Sequence, residues 1–116
     1  MRYYKKTGEF KQIRPFAESA KDQLRFNWNT PYTFGEKSGH LYVGAQFLYR
    51  SKDRGDTWEK ISPDLTTNDP EKLKQELSGG LTVDNSTAEN HCTIYTIAES
   101  PLDANVIWVG TDDGNI

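Results

Sequence analysis

Residues 51–58, SKDRGDTW, bring two carboxylates, two hydroxyls and a glycine into one octapeptide that ends on a tryptophan. Oxygen groups at this density suit a hard cation such as calcium, with Asp53 and Asp56 as candidate ligands. A calcium loop of the EF-hand kind needs several more oxygens and a distal glutamate, and this stretch has neither. His91-Cys92 is the one neighbouring pair able to act as a nucleophile or metal ligand. Zinc takes three or four ligands, and only His40 remains to join them. A Cys–His catalytic pair must converge, whereas neighbours on a strand point to opposite faces. Cys92 is therefore expected as a small buried residue and His91 at a loop or edge. Glycoside hydrolysis uses two carboxylates roughly 5–10 Å apart across a sugar cleft. Glu99 and Asp103, near a strand end, are the acids placed to line one. No spacing marks them as a pair, so no catalytic residue, metal ligand or cofactor is assigned.

Aromatic rings are the other candidate chemistry. Trp28, Tyr32, Tyr42, Tyr95 and Trp108 fall in or beside short strand-like runs. There they are expected to pack between sheets, or to form a surface that stacks on a sugar or grips a peptide. Trp28, in the polar setting Asn27-Trp28-Asn29, is the first choice for a ligand face, with Tyr32 second. Asp112-Asp113-Gly114 reads as a turn between strands.

The elements that must position these residues are β-strands. Aromatic and β-branched runs alternate with Gly, Asp, Asn and Pro clusters, the pattern of an antiparallel all-β protein. Segments 2–5 and 9–13 flank a Thr7-Gly8 turn. Segment 25–34 reads as a strand with Pro31 at an end, edge or bulge. Strands over 41–45, 47–51 and 58–61 follow, then two more over 93–98 and 106–111. Between them, Asn68 or Asp69 caps and Pro70 opens a short helix over 71–77, stopped by Ser78-Gly79-Gly80. Residues 15–23 and 81–89 read as polar connections. LYVGA at 41–45 recurs as IWVGT at 107–111, an offset of 66 residues. A repeated four-stranded unit of this kind suggests blades of a β-propeller. The organisation expected is a closing hairpin over 1–14, a full blade over 25–62, an insertion over 63–92 and the start of a next blade over 93–116.

Within SKDRGDTW every residue has a structural task at a hairpin tip. Asp53 can accept backbone N–H groups of the turn, and Gly55 supplies a positive φ. Ser51 and Thr57 are expected to pair their hydroxyls across the hairpin base, and Trp58 to bury its ring. Ser51, Asp53, Gly55, Thr57 and Trp58 match the Asp-box pattern Ser/Thr-x-Asp-x-Gly-x-Thr-Trp. With RFNWNTP, LYVGAQFLYRSKDRGDTWEKISPDLTTN and TIYTIAESPLDANVIWVGTDDGN, the chain resembles the BNR-repeat β-propellers, in their sortilin-like subgroup of bacterial exported proteins often labelled glycosyl hydrolases. The resemblance runs from Arg25 to Asn115 and is weakest over 64–89. It implies a structural role for the box, away from any ligand face. It also implies an incomplete propeller of about one and a half blades from an exported parent.

Composition narrows the function classes. A chain of 116 residues holds one small domain. Its net charge of −3 disfavours nucleic acid, which needs a basic face. The single cysteine excludes an internal disulfide. No apolar run nears the roughly 18 residues of a membrane span, and MRYYKKTGEF lacks the apolar core of a signal peptide. These features point to a non-catalytic interaction module that binds a protein, peptide or glycan. The alternatives are part of a hydrolase-like propeller whose carboxylates lie outside this chain, and a fragment that self-associates through open blade edges.

Overall fold

The computed structural model describes residues 1–17, 23–77 and 89–116, and it is an antiparallel all-β protein. Strands β1 (Arg2–Tyr3) and β2 (Phe10–Lys11) pair as a short hairpin. Strands β3 (Tyr32–Phe34), β4 (Leu41–Gly44), β5 (Leu48–Ser51) and β6 (Glu59–Lys60) form a four-stranded meander in sequence order. Strands β7 (Ile94–Glu99) and β8 (Ile107–Thr111) make a third, two-stranded sheet.

The pleat sorts the meander into two faces. Tyr42, Gly44 and Leu48 share one face, and Leu41, Val43 and Tyr49 share the other. Tyr42 and Leu48 pack with Ile94 and Ile97 of β7 to form the core, joined at its margin by Ile61, Leu65, Ile107 and Val109. The sheets approach so closely that a Cβ on Gly44 would lie 2.6 Å from Ile94 Cγ2. The second face of the meander receives the N-terminal segment, where Ile13 lies against Gly55.

Most expected elements are shorter than their sequence pattern, and segments 2–5 and 9–13 keep two strand residues each. The 25–34 strand is reduced to β3, because Asn27 begins a turn: Thr30 N–H and Oγ1 both donate to Asn27 O, at 3.0 and 2.6 Å. Only an isolated bridge to Glu89 remains of the pairing upstream. The helix over 71–77 is a turn followed by one 3-10 turn, Gln75–Leu77. Asp69 does cap it, accepting Glu71 N–H at 2.9 Å. A run of two turns cannot repay the cost of nucleating an α-helix. The strand after the octapeptide begins at Glu59, one residue past Trp58. The Ser78-Gly79-Gly80 stop, the connection over 81–88 and residues 18–22 lie outside the described residues.

Candidate functional site

The octapeptide is the tip of the β5–β6 hairpin, and Asp53 is its centre. Its carboxylate accepts Ser51 Oγ at 2.8 Å, Thr57 N–H at 2.8 Å and Thr57 Oγ1 at 2.5 Å. Ser51 Oγ in turn accepts Gly55 N–H at 2.6 Å. The two hydroxyls therefore do not pair with each other, as the sequence suggests; both converge on the carboxylate between them. A carboxylate is the stronger acceptor, and it can take both at once. Arg54 and Gly55 are both left-handed, with φ of 62° and 93°, so the chain reverses tightly enough for Thr57 to return to Asp53. The Thr57 hydroxyl and N–H, then the Ser51 hydroxyl, hold the Asp53 pKa well below the usual carboxylate range.

Asp56 faces the other way. It forms a bidentate pair with Arg2, both contacts at 3.0 Å, and a second ion pair with Lys11. Arg2 also donates to Arg54 O at 3.0 Å, so the hairpin tip is the anchor for the N-terminal strands. The two aspartates thus serve different partners and do not share a cavity. Among the described residues no cluster of three or more His, Cys, Asp or Glu side chains is placed to hold a metal ion. Trp58 is half-buried, and its Nε1 has no protein acceptor among the described residues.

The remaining acidic candidates also stitch backbone. Glu99 accepts the N–H groups of Lys37 and Ser38, at 2.9 and 3.0 Å, and the Tyr42 hydroxyl at 3.1 Å. It ties β7 to the β3–β4 turn. Hydrogen bonds from the Ser38 side chain, the Ser38 and Lys37 backbone and Tyr42 bring its pKa down to about 2. Asp103 caps its own turn, accepting Asn105 N–H at 2.9 Å. Asp112 accepts Thr93 N–H and Oγ1, at 2.9 and 2.8 Å, and Asn27 Nδ2 at 3.2 Å. Asp113 accepts Thr67 N–H and Oγ1, both at 2.7 Å, and Thr111 Oγ1 at 2.5 Å. Burial opposes its ionisation, yet the Thr111 and Thr67 bonds outweigh it and hold its pKa low.

His91 and Cys92 correct one expectation. They are not strand neighbours with opposed side chains, because Cys92 precedes β7 in a left-handed conformation with φ of 57°. Their Sγ and Nδ1 atoms come within 4.0 Å. Burial nevertheless raises the thiol pKa, so Cys92 is held as a protonated, fully buried group.

The aromatic candidates divide sharply. Tyr42 is core, whereas Trp28 is 68% exposed and Tyr32 is 75% exposed. Trp28 rides on a turn pinned at both flanks. Asn27 Nδ2 donates to Asp112 and Thr93, and Asn29 Nδ2 donates to the Tyr95 hydroxyl at 3.2 Å. Tyr32 lies elsewhere, on the edge strand β3, as a wall of a groove that does not include Trp28. Tyr95 and Trp108 are also exposed, so packing between sheets accounts for none of the four within this chain.

Arg25 is a tertiary link that sequence inspection missed. It joins Asp64 at 2.9 Å, Thr66 at 3.2 Å and the Cys92 carbonyl at 3.2 Å. A lone arginine before an aromatic run carries no local signal for such a role. No family model, curated protein or solved structure matches the chain. Among the described residues no helix is long and apolar enough to cross a membrane.

Proposed function

We propose that this chain is a non-catalytic interaction module: an incomplete β-propeller segment of the Asp-box, BNR-repeat kind, from an exported parent, that binds a protein, peptide or glycan. The observation that carries the binding role is Trp28, an exposed indole on a turn held by four side-chain hydrogen bonds from Asn27 and Asn29. An aromatic side chain carried on a turn held in place loses less entropy on contact than one on a mobile loop, and Trp and Tyr are enriched among binding anchors. The Asn29 amide and Tyr95 hydroxyl beside it supply polar partners for the rim of a sugar ring or a peptide backbone. The non-catalytic character is supported by the engagement of Asp53, Glu99, Asp112 and Asp113 with backbone and hydroxyl groups of the chain itself. The blade assignment and the exported parent rest on the Asp-box resemblance, together with the four-stranded meander that carries the box.

Glycan and peptide arrays probed with the whole chain test this. Trp28→Ala should weaken the strongest array signal at least about tenfold, the usual size of a lost aromatic anchor, with an unchanged thermal transition. An unchanged signal, or turnover of an oligosaccharide by the chain, would sink it.

A further inference from the structure

The two large sheets meet as one face of the first against the opposite face of the second. In the first, Tyr42, Gly44 and Leu48 form the contact face; in the second, Ile97 and Val109 do, with Ile94 and Ile107. By the LYVGA–IWVGT alignment, Trp108 and Gly110 stand where Tyr42 and Gly44 stand. Register puts Trp108 with Ala98, and Gly110 with Thr96, on the reverse face of β7–β8. That face is open: Trp108 is 62% exposed, and Thr96 and Ala98 are exposed beside it.

The complementary face is also present a second time. Leu41 and Val43 align with Ile107 and Val109, and they lie on the reverse face of the meander. Leu41 and Val43 are buried there, at 4% and 8% exposure, and form the floor of a groove of about 900 Å³ whose exposed walls are Tyr3, Tyr32 and Phe34. Arg2, Arg14 and Arg54 also line this groove.

The segments that carry the two surfaces differ in net charge, although Arg2 and Lys11 are already paired with Asp56. Residues 1–14 carry Arg2, Lys5, Lys6, Lys11 and Arg14 against the single acid Glu9. Residues 89–116 carry Glu89, Glu99, Asp103, Asp112 and Asp113 and no lysine or arginine. Segments of opposite net charge, one presenting Trp108 and the other an aromatic-walled groove over the face of Leu41 and Val43, fit each other better than either fits itself.

We infer that a second copy of this chain docks head to tail, its Trp108 face in the arginine-lined groove of the first. The contact rests on reading the two sheets as repeats of one unit, and not on the ligand role of Trp28. It is heterologous, so each copy keeps one groove and one Trp108 face for further copies, and the assembly either closes as a ring or extends as a chain.

Sedimentation of the whole chain from low micromolar to near-millimolar concentration tests it. The mass should rise with concentration, and the association should weaken in high salt. Trp108→Asp and Phe34→Asp should each raise the dissociation constant at least about tenfold. Both side chains are exposed, so the thermal transition should not move; a variant that melts early is replaced by its Ser counterpart. Mixing the two variants decides the geometry. Each retains the surface the other has lost, so together they should form a one-to-one dimer that neither forms alone. A wild-type chain that stays monomeric throughout overturns the inference. So do variants that associate like the wild type, a mixture that fails to pair, or an oligosaccharide bound at Trp108 of a monomer. Loss of array binding in Trp28→Ala, with the mass unaltered, bears on the proposed function alone.

Discussion

Two turns of this protein share a local design and use it differently. In the octapeptide, Ser51 Oγ donates to Asp53 and accepts Gly55 N–H. After β8, Thr111 Oγ1 donates to Asp113 and accepts Asn115 N–H at 2.9 Å. In both, the residue after the aspartate is left-handed: Arg54 with φ of 62° and Gly114 with φ of 102°. They diverge at the next position. Gly55 stays left-handed, and the chain brings Thr57 back to the same carboxylate. In the second turn Asp113 takes Thr67, 46 residues away. One aspartate closes its own hairpin; the other fastens a distant loop to the second sheet. A hydroxyl-x-aspartate pattern therefore specifies how a turn begins, while the carboxylate's remaining bonds differ between the two turns.

Alanine at the two left-handed glycines should separate these uses most widely. Gly55→Ala places a Cβ 2.7 Å from Ile13 Cβ at φ of 93°. It should cost about 3 kcal/mol from backbone strain and overpacking together. Gly114→Ala meets no atom within 4 Å and carries only the left-handed penalty, about 1 kcal/mol. Chemical denaturation of both variants measures the gap, and equal losses would show that the hairpin tip does not bear on Ile13.

Next in size are the carboxylates. Asp53→Ala should lower the melting temperature by about 5 °C, in line with loss of a capping group. By amide exchange it should deprotect Thr57 and leave Thr67 as it was. Asp113→Ala should do the reverse. Deprotection of both amides by either change would mean the turns are coupled.

The smallest effect is a shift with pH. Glu99 has a folded pKa of about 2 against an ordinary value of 4.5. The ionised form is favoured in the folded state, so its contribution is complete above the unfolded value and is lost as pH falls from about 4.5 towards 2. Asp53 and Asp113, also held low, lose theirs over the same acid range, beginning near their ordinary value of 3.8. The denaturation midpoint should fall on acidification through that range, and Glu99→Gln should flatten the curve. A variant whose midpoint tracks the wild type at every pH would remove Glu99 from the account.

What could be read in the sequence follows from the distance between partners along the chain. The Asp53 clasp was legible because Ser51, Gly55 and Thr57 all lie within the octapeptide, although that both hydroxyls meet on the carboxylate was not. The Thr7-Gly8 hairpin and the strand pairs were legible for the same reason. The turn at Asn27 closes on local bonds from Asn29 and Thr30 but was hidden inside a strand-like run. The bonds that fix its place, donated by Asn27 to Thr93 and Asp112, reach distant residues. Glu99 looked like a spare acid near a strand end because Lys37, Ser38 and Tyr42 are about sixty positions away.

By itself, then, the sequence determined the antiparallel β class, the order of its hairpins and the turn chemistry at their tips. These depend on backbone preferences and on hydrogen bonds that reach only a few residues. Tertiary structure alone decided which aromatics are core and which face outward, and which loops the acids fasten. Period-two alternation says that a strand has two faces; only the placing of a second sheet settles which of them is covered. Tyr42 and Trp108 align when LYVGA is laid on IWVGT. One is buried because β7 lies against it, and the other is exposed because, among the described residues, no strand does.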